Sequence, residues 1–258
     1  MRLPVPFSLI VIVSILGGPT AAQKRKPIIS ARPQPQAVKK GEIGQTAVVI
    51  DDTLSVLREK PSLYSPAIQR MHRGRRIQIL GVSEADGVKF YRVTAPPANF
   101  GWVQADAVFG KFRPEDEQRL ARLVQATSGF EQIEIAVEFF SLYPDSKLRP
   151  SILLLYGDLL EDTAAKLTKD ANSKLKRPEM AATGAPIYSY YLNFVSLDRY
   201  RKLGITFVFD TAARAFHYDG ASWSEIVAKF PNATEVAEAK KRLDAIKARS
   251  EKAAVKSL

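Results

Sequence analysis

The chain has 258 residues, of which 46% are apolar, which is enough for one large domain or two small ones with a sizeable core. It contains no cysteine, which excludes disulfides, thiolate nucleophiles and cysteine-ligated metals. The formal net charge of +11 favours anionic partners such as cell-wall polymers, lipid head groups or nucleic acid. A basic surface that serves only solubility is the alternative interpretation.

Residues 1–22 have the pattern of a secretory signal peptide. Arg2 provides a positive charge, residues 3–16 are uncharged and rich in Val, Ile and Leu, and Thr20-Ala21-Ala22 offers small residues for cleavage. The apolar run is short against the roughly 20 residues that span a bilayer, so the pattern favours cleavage over a retained anchor. We therefore expect a periplasmic or extracellular protein that starts near Gln23, has no transmembrane segment and binds no nucleic acid.

Residues 23–45 have the composition of a basic linker. Its first part, residues 23–41, holds six basic side chains and no acidic one. Pro27, Pro33 and Pro35 stiffen it toward extended conformations. Too few apolar residues cluster here to offset the entropy of ordering, so we expect no fixed structure.

In residues 46–113 the pattern changes to short apolar runs separated by turn residues. Five runs have the composition or the alternation of strands, and they cover residues 47–50, 54–57, 76–79, 90–93 and 101–103. Turn residues separate them at residues 61–62, 73–74, 85–87 and 96–99. Short strands at this spacing predict a small all-β sandwich or barrel, in which Gly74 would allow a turn with positive φ.

The order of these segments resembles the bacterial SH3-like domains over roughly a quarter of the chain. The resemblance is carried by Leu57-Arg58-Glu59-Lys60-Pro61-Ser62, by Gly74 before a Val/Ile-rich strand, by Phe90-Tyr91-Arg92-Val93 and by Gly101-Trp102-Val103. Val56, where the family often has Asn, and the loop-lengthening Pro96-Pro97 depart from the pattern. We expect Gly101 to let a neighbouring backbone pass close by and Trp102 to cover one end of the barrel, with ligand contact as the alternative role.

Residues 114–258 have apolar residues at helical spacing, which predicts an all-α domain. Helices are expected at residues 115–124, 133–140 and 151–160, from Pro186 onward, and at residues 207–218 and 236–250. The Lys-rich residues 163–180 fit a frayed helix end or a loop.

Two segments of this helical part, residues 138–146 and 225–233, resemble each other. In each, an aromatic residue and a proline, Pro144 or Pro231, end a helix, and Asp145 or Asn232 could cap the next one. The segments resemble tetratricopeptide-like repeats of periplasmic envelope proteins. The prolines lie 87 residues apart, which is not a whole number of repeats of about 34 residues. The expected fold is therefore multidomain, with an SH3-like barrel followed by a helical-hairpin domain.

The sequence contains no pattern of catalytic or metal-ligating residues. His72 and His217 are isolated, and no phosphate-binding loop or nucleophile elbow is present. Glu131, Glu134 and Glu138 share one helical face, and glycoside cleavage needs only two carboxylates, but such a row is usually solvated. We therefore expect no enzyme activity, metal or cofactor. A carboxylate-dependent cell-wall hydrolase, or its regulatory subunit, is the alternative.

The candidate ligand site surrounds the turn at Gly74. Alternation directs Ile77 and Ile79 inward and Arg76 outward. On the next strand it directs Tyr91 and Val93 inward and leaves Phe90 and Arg92 exposed. The predicted ligand contacts are Tyr64, Arg70, Arg73, Arg75, Arg76, Phe90 and Arg92. Guanidinium groups hold carboxylates with paired hydrogen bonds and an aromatic ring adds apolar contact, so the expected ligand is a carboxylate-bearing peptide such as a peptidoglycan stem.

These features predict a non-catalytic envelope protein. Its barrel would bind peptidoglycan or a protein ligand, and its helical domain would be a protein-interaction scaffold. A scaffold that binds only proteins is the rival interpretation, and the sequence leaves the oligomeric state open.

Overall fold

The computed structural model describes residues 41–95 and 99–256, with side chains as far as residue 249. The expected signal peptide, most of the expected linker and the Pro96-Pro97 part of the loop lie outside the described residues.

The amino-terminal half of the described chain is a curled, barrel-like antiparallel sheet. Its strands are β1 (Thr46–Val49), β2 (Val56–Arg58), β3 (Ala67–Arg70), β4 (Arg76–Ala85), β5 (Val88–Ala95), β6 (Asn99–Gln104) and β7 (Val108–Phe109). They lie in the order β3-β2-β6-β5-β4-β1-β7. Each of the five predicted runs overlaps a strand, although residues 50, 54 and 55 lie outside the strands, and the short strands β3 and β7 were not predicted.

The carboxy-terminal half consists mainly of helices. These are α1 (Asp116–Ala126), α2 (Gly129–Leu142), α3 (Arg149–Lys174), α4 (Arg177–Thr183), α5 (Ile187–Leu192), α6 (Asp198–Arg201), α7 (Ala221–Lys229) and α8 (Val236–Lys256). Helices α2 and α7 end just before Pro144 and Pro231, as the inability of proline to continue a helix predicts. Asp145 caps no helix, since the Ser146 hydroxyl accepts the hydrogen bond from the Leu148 amide.

Two predictions for the helical part are wrong. Residues 207–218, predicted as a helix, form a hairpin of β8 (Phe207–Asp210) and β9 (Ala215–Tyr218), so this half is not all-α. Residues 163–174, predicted as a frayed end or a loop, continue helix α3, where Thr163, Ala164, Leu167 and Ala171 are buried. Burial of one face stabilises a helix that composition alone would not.

The core of the sheet and the cores of the helices meet at strand β1. Ala47 and Val49 face the interior of the barrel. Val48 and Ile50 point to the other side, where they pack in a cluster with residues of α1 and α2 such as Leu120. The contact pattern accordingly groups the sheet and the helices in one unit.

Residues that precede β1 also contact the sheet. The Gly44 amide donates a hydrogen bond to the Ile79 carbonyl over 2.8 Å, and the Lys89 ammonium donates one to the buried Glu42 carboxylate over 2.8 Å. Residues 41–45, expected to belong to the linker, therefore contact the barrel.

A substitution at Gly101 tests how closely the strands of the barrel pack. A Cβ atom at this position would lie 2.8 Å from both the Arg58 carbonyl oxygen and Leu57 Cγ. We expect Gly101→Ala to lower the free energy of unfolding by about 1–3 kcal/mol, the usual cost of overpacking, in urea unfolding of the full chain. Gly41→Ala is the matched control, because a Cβ atom there meets nothing within 4 Å. Equal stability of the two variants would contradict the close approach.

Candidate functional site

The turn at Gly74 packs against helix α2. The Arg73 side chain, 7% exposed, donates hydrogen bonds to Glu131 over 2.5 Å, to Glu134 over 2.7 Å and to the Ile50 carbonyl over 2.7 Å. Two of the three glutamates predicted as a solvated row are therefore partners of an arginine predicted to bind a ligand. The carboxylates that Arg73 binds belong to the chain itself.

The third glutamate of this row, Glu138, lies against Gly74. Gly74 has φ +81°, a conformation that favours glycine, and a Cβ atom there would lie 2.8 Å from Glu138 Oε1, so the carboxylate would have to shift. Burial raises the pKa of the Glu138 carboxyl, and the nearby Arg76 and Arg73 only partly offset this effect. Arg76 itself donates a hydrogen bond over 3.0 Å to the Ser141 hydroxyl at the end of α2.

The remaining predicted contacts are dispersed. Arg70 is exposed and donates hydrogen bonds to the Asp52 and Thr53 carbonyls over 2.6 and 2.8 Å. Arg75 is half-buried, and its carbonyl accepts a hydrogen bond from the Val49 amide of β1. The arginines near Gly74 thus contribute to internal contacts of the protein.

Tyr64 is 88% exposed in a loop that is fixed to the tip of the β4–β5 hairpin. The Ser62 hydroxyl and the Leu63 amide donate to Asp86 over 2.7 and 2.8 Å, and these hydrogen bonds lower the pKa of the Asp86 carboxyl. Phe90, by contrast, is completely buried, so its predicted exposure is wrong. Alternation assigns a side chain to one side of the sheet but does not determine what covers that side.

Arg92 belongs to a different surface, the outer side of strands β2, β6 and β5. In the strand register Trp102 lies opposite Arg92 on one side and opposite Arg58 on the other. Directly opposed residues have Cβ atoms about 4.5–5.5 Å apart, so the Trp102 side chain leaves the sheet between the side chains of Arg58 and Arg92. On the neighbouring strand β4, Gly81 lies opposite Arg92 and contributes no side chain to this surface. We call Arg58, Arg92, Phe100 and Trp102 the arginine–aromatic face.

The position of Trp102 differs from the expected one. Gly101 and Val103 point into the barrel and are buried, whereas Trp102 is half-buried and Phe100 is 58% exposed on the outer side. The inner space beside Gly101 is occupied by Leu57 and Ile68, which leaves no place for an indole there. Trp102 therefore does not cover the end of the barrel.

Sequence reasoning missed two members of this face, Arg58 and Phe100. Phe100 could have been found from alternation, because it precedes Trp102 by two residues on the same strand. Arg58 depends on the pairing of β2 with β6, for which the sequence contains no direct signal. The Arg58 Nη1 group donates to the Ser65 carbonyl over 2.7 Å, while its buried Nε has no hydrogen-bond partner among the described residues.

A buried ion pair connects the end of the sheet to α1. Arg113 donates hydrogen bonds to Asp116 over 2.8 Å and to the carbonyls of Ala105 and Val108. Asp116 also accepts a hydrogen bond from the Gly110 amide, yet desolvation raises the pKa of its carboxyl. Tyr91 lies beside Arg113, and burial raises the pKa of its hydroxyl to about 12.

Other site types were sought in the described ranges. There, no three His, Asp or Glu side chains come together as metal ligands would. None of the helices described combines the length and apolarity needed to cross a bilayer. No protein family model, no curated protein and no solved structure matches the chain.

Arg73 should be the most sensitive arginine of the Gly74 turn. Arg73→Ala removes a guanidinium that is 7% exposed from two carboxylates that are 55% and 30% exposed, so we expect a loss of about 1–2 kcal/mol in the free energy of unfolding. Arg122→Ala, an exposed arginine of α1, is the matched control and should change it by less than about 0.5 kcal/mol. Urea unfolding measures both, and similar values for the two variants would show that the contact with α2 contributes little.

Glu138 should make stability depend on pH. Its folded-state pKa lies above the ordinary 4.5, so the folded protein holds this proton more tightly than the unfolded chain. Stability is therefore lost as the pH rises from 4.5 through the raised pKa. Glu138→Gln removes this loss, so the variant should gain stability relative to the wild type between pH 4.5 and pH 7. Parallel pH profiles of unfolding would refute this role.

Proposed function

We propose that this protein is a non-catalytic binding protein of the cell envelope, and that the arginine–aromatic face holds a carboxylate-bearing peptide such as a stem peptide of peptidoglycan. The proposal of export rests on residues 1–22. The helical half would serve as the scaffold for a protein partner, and its likeness to tetratricopeptide-like repeats belongs to this proposal.

The observation that carries the proposal is the placement of Trp102 between Arg58 and Arg92. Within the described residues Arg92 is exposed and its side chain makes no hydrogen bond or ion pair, so its guanidinium can donate hydrogen bonds to a carboxylate. Trp102 and Phe100 supply apolar surface beside it. Guanidinium groups give orientation and charge complementarity, and the rings give contact with aliphatic parts of a peptide.

The Gly74 turn is a poorer candidate for the same role. Arg73 is largely buried and already binds Glu131, Glu134 and a carbonyl, so an external carboxylate would have to compete with them. Reversing the charges of Arg75 and Arg76 together would also place a new carboxylate beside Glu138. A loss of binding in that double variant would not distinguish a ligand contact from a disturbed internal contact.

The alternative of a carboxylate-dependent hydrolase would need carboxylates in a cleft. In the row Glu131, Glu134 and Glu138, the first two form ion pairs with Arg73 and the third lies against Gly74. This arrangement favours a structural role for the row. Release of muropeptides in the binding experiment below would support the hydrolase instead.

The test is co-sedimentation of the full chain with purified peptidoglycan at low and high salt. We expect Arg92→Glu and Trp102→Ala each to weaken binding about tenfold, which corresponds to about 1.4 kcal/mol. Wild-type binding should weaken with salt, because the exposed guanidinium is screened.

Arg122→Glu is the matched control, since it makes the same charge change on the exposed side of α1 and should bind as the wild type does. Circular dichroism confirms that each variant is folded. Unchanged binding of folded Arg92→Glu and Trp102→Ala would place the site elsewhere. A wild-type protein that does not sediment would exclude peptidoglycan as the ligand.

A further inference from the structure

A second surface, far along the chain from the barrel, carries exposed apolar side chains. Among the described residues ten large apolar side chains are exposed, and five of them fall within residues 187–208. Four of the five lie on or directly after α5, and we call Ile187, Tyr188, Leu192 and Val195 the α5 patch. Clustered exposure of this kind marks an interaction surface more often than scattered exposure does.

The geometry of α5 separates the patch from the core. Tyr188 and Leu192 are four residues apart and therefore lie on one face of the helix, 50% and 48% exposed. Val195, which follows the helix, is 73% exposed. Tyr191 and Phe194, between them in the sequence, are buried in the helical core.

Contacts with α3 and with the β8–β9 hairpin hold the buried side of α5 in place. The Tyr190 hydroxyl donates to the Ala171 carbonyl over 3.1 Å, and the Tyr191 hydroxyl donates to Asn172 over 2.5 Å. The Tyr191 ring stacks on Phe209 of the β8–β9 hairpin, with 4.4 Å between ring centroids. Helix α5 is therefore held against α3 and the hairpin while its other face is exposed.

Basic side chains outnumber acidic ones in the segments next to the patch. Residues 170–202 contain six basic and three acidic side chains: Lys174, Lys176, Arg177, Arg199, Arg201 and Lys202 against Asp170, Glu179 and Asp198. Lys174, Lys176 and Arg201 form ion pairs with these three carboxylates. Arg201 donates a hydrogen bond to the Leu192 carbonyl over 2.5 Å, which places a guanidinium at the edge of the patch. Lys202, next to it, is exposed.

We propose that the α5 patch docks onto an anionic lipid surface. A bilayer accepts short apolar side chains and tyrosine rings among its head groups, and its negative charge attracts Lys and Arg at the edge of the inserted surface. The same net charge favours this partner over a second copy of the chain, which would bring like charges together. The docking is peripheral, with α5 lying on the membrane surface.

The absence of cysteine allows a local measurement. Leu192→Cys, labelled with an environment-sensitive fluorophore, is mixed as full chain with vesicles of phosphatidylcholine containing phosphatidylglycerol. We expect a blue shift with these vesicles and none with phosphatidylcholine alone. Lys202→Gln in the labelled chain should weaken binding about fivefold, from about 1 kcal/mol per basic residue near an anionic surface.

Ala228→Cys, exposed on α7, is the matched control for the label and should show no shift. The fluorescence reports only on the surroundings of residue 192. If the chain binds vesicles through another part, this fluorescence stays unchanged, and that result overturns the proposal. Equal shifts at residues 192 and 228 also overturn it. A shift at residue 192 that depends on protein concentration without lipid would indicate self-association and would overturn it as well. None of these outcomes bears on the arginine–aromatic face.

Discussion

The burial of strand β1 on both faces holds the sheet and the helices together. Its inward residues, Ala47 and Val49, complete the core of the barrel, and its outward residues, Val48 and Ile50, complete a cluster with α1, α2 and α3. A strand with one solvated face alternates apolar and polar residues, whereas a strand covered on both sides is apolar throughout. The run Ala47-Val48-Val49-Ile50 has the second pattern. A fragment restricted to residues 46–113 would expose Val48 and Ile50, so folding of the barrel on its own would have to offset that exposure.

The charged groups at this interface follow from the same packing. Once β1 lies against the helices, the neighbouring Gly74 turn comes within reach of α2, and its arginines need partners because burying an unpaired guanidinium is costly. Glu131 and Glu134 supply them. Sequence reasoning recognised that arginines around a turn suit carboxylates and that three glutamates share a helical face. It could not pair the two sets, because nothing local in the sequence indicates which elements meet.

Much of the barrel could be predicted because its information is local. Alternation correctly directed Ile77, Ile79, Tyr91 and Val93 inward, and the positive φ of Gly74 was anticipated. The β8–β9 hairpin was mistaken for a helix because its turn contains Ala212 and Ala213, which favour helices, between runs too short to show a clear period. Only part of the arginine–aromatic face could be predicted from the sequence. Arg92 was identified from its strand, but its neighbours Trp102 and Arg58 depend on register between strands distant in sequence.

The two similar segments of the helical half have the same local structure. At Tyr143 and at Phe230 the backbone makes the same three hydrogen bonds. The amide of the aromatic residue donates to the carbonyl four residues earlier, and the amide three residues after it donates to its carbonyl. The amide six residues after the aromatic residue then donates to the carbonyl three residues before itself. Each turn thus connects a helix pair, α2–α3 or α7–α8. Helix α7 packs against α3, where Gly157 leaves room for the Trp223 ring, and Arg149 after the first turn pairs with Glu225 before the second over 2.8 Å. The segment from α4 to β9 lies between the pairs in sequence. The 87-residue spacing of the two prolines therefore contains this segment as well as helix α3.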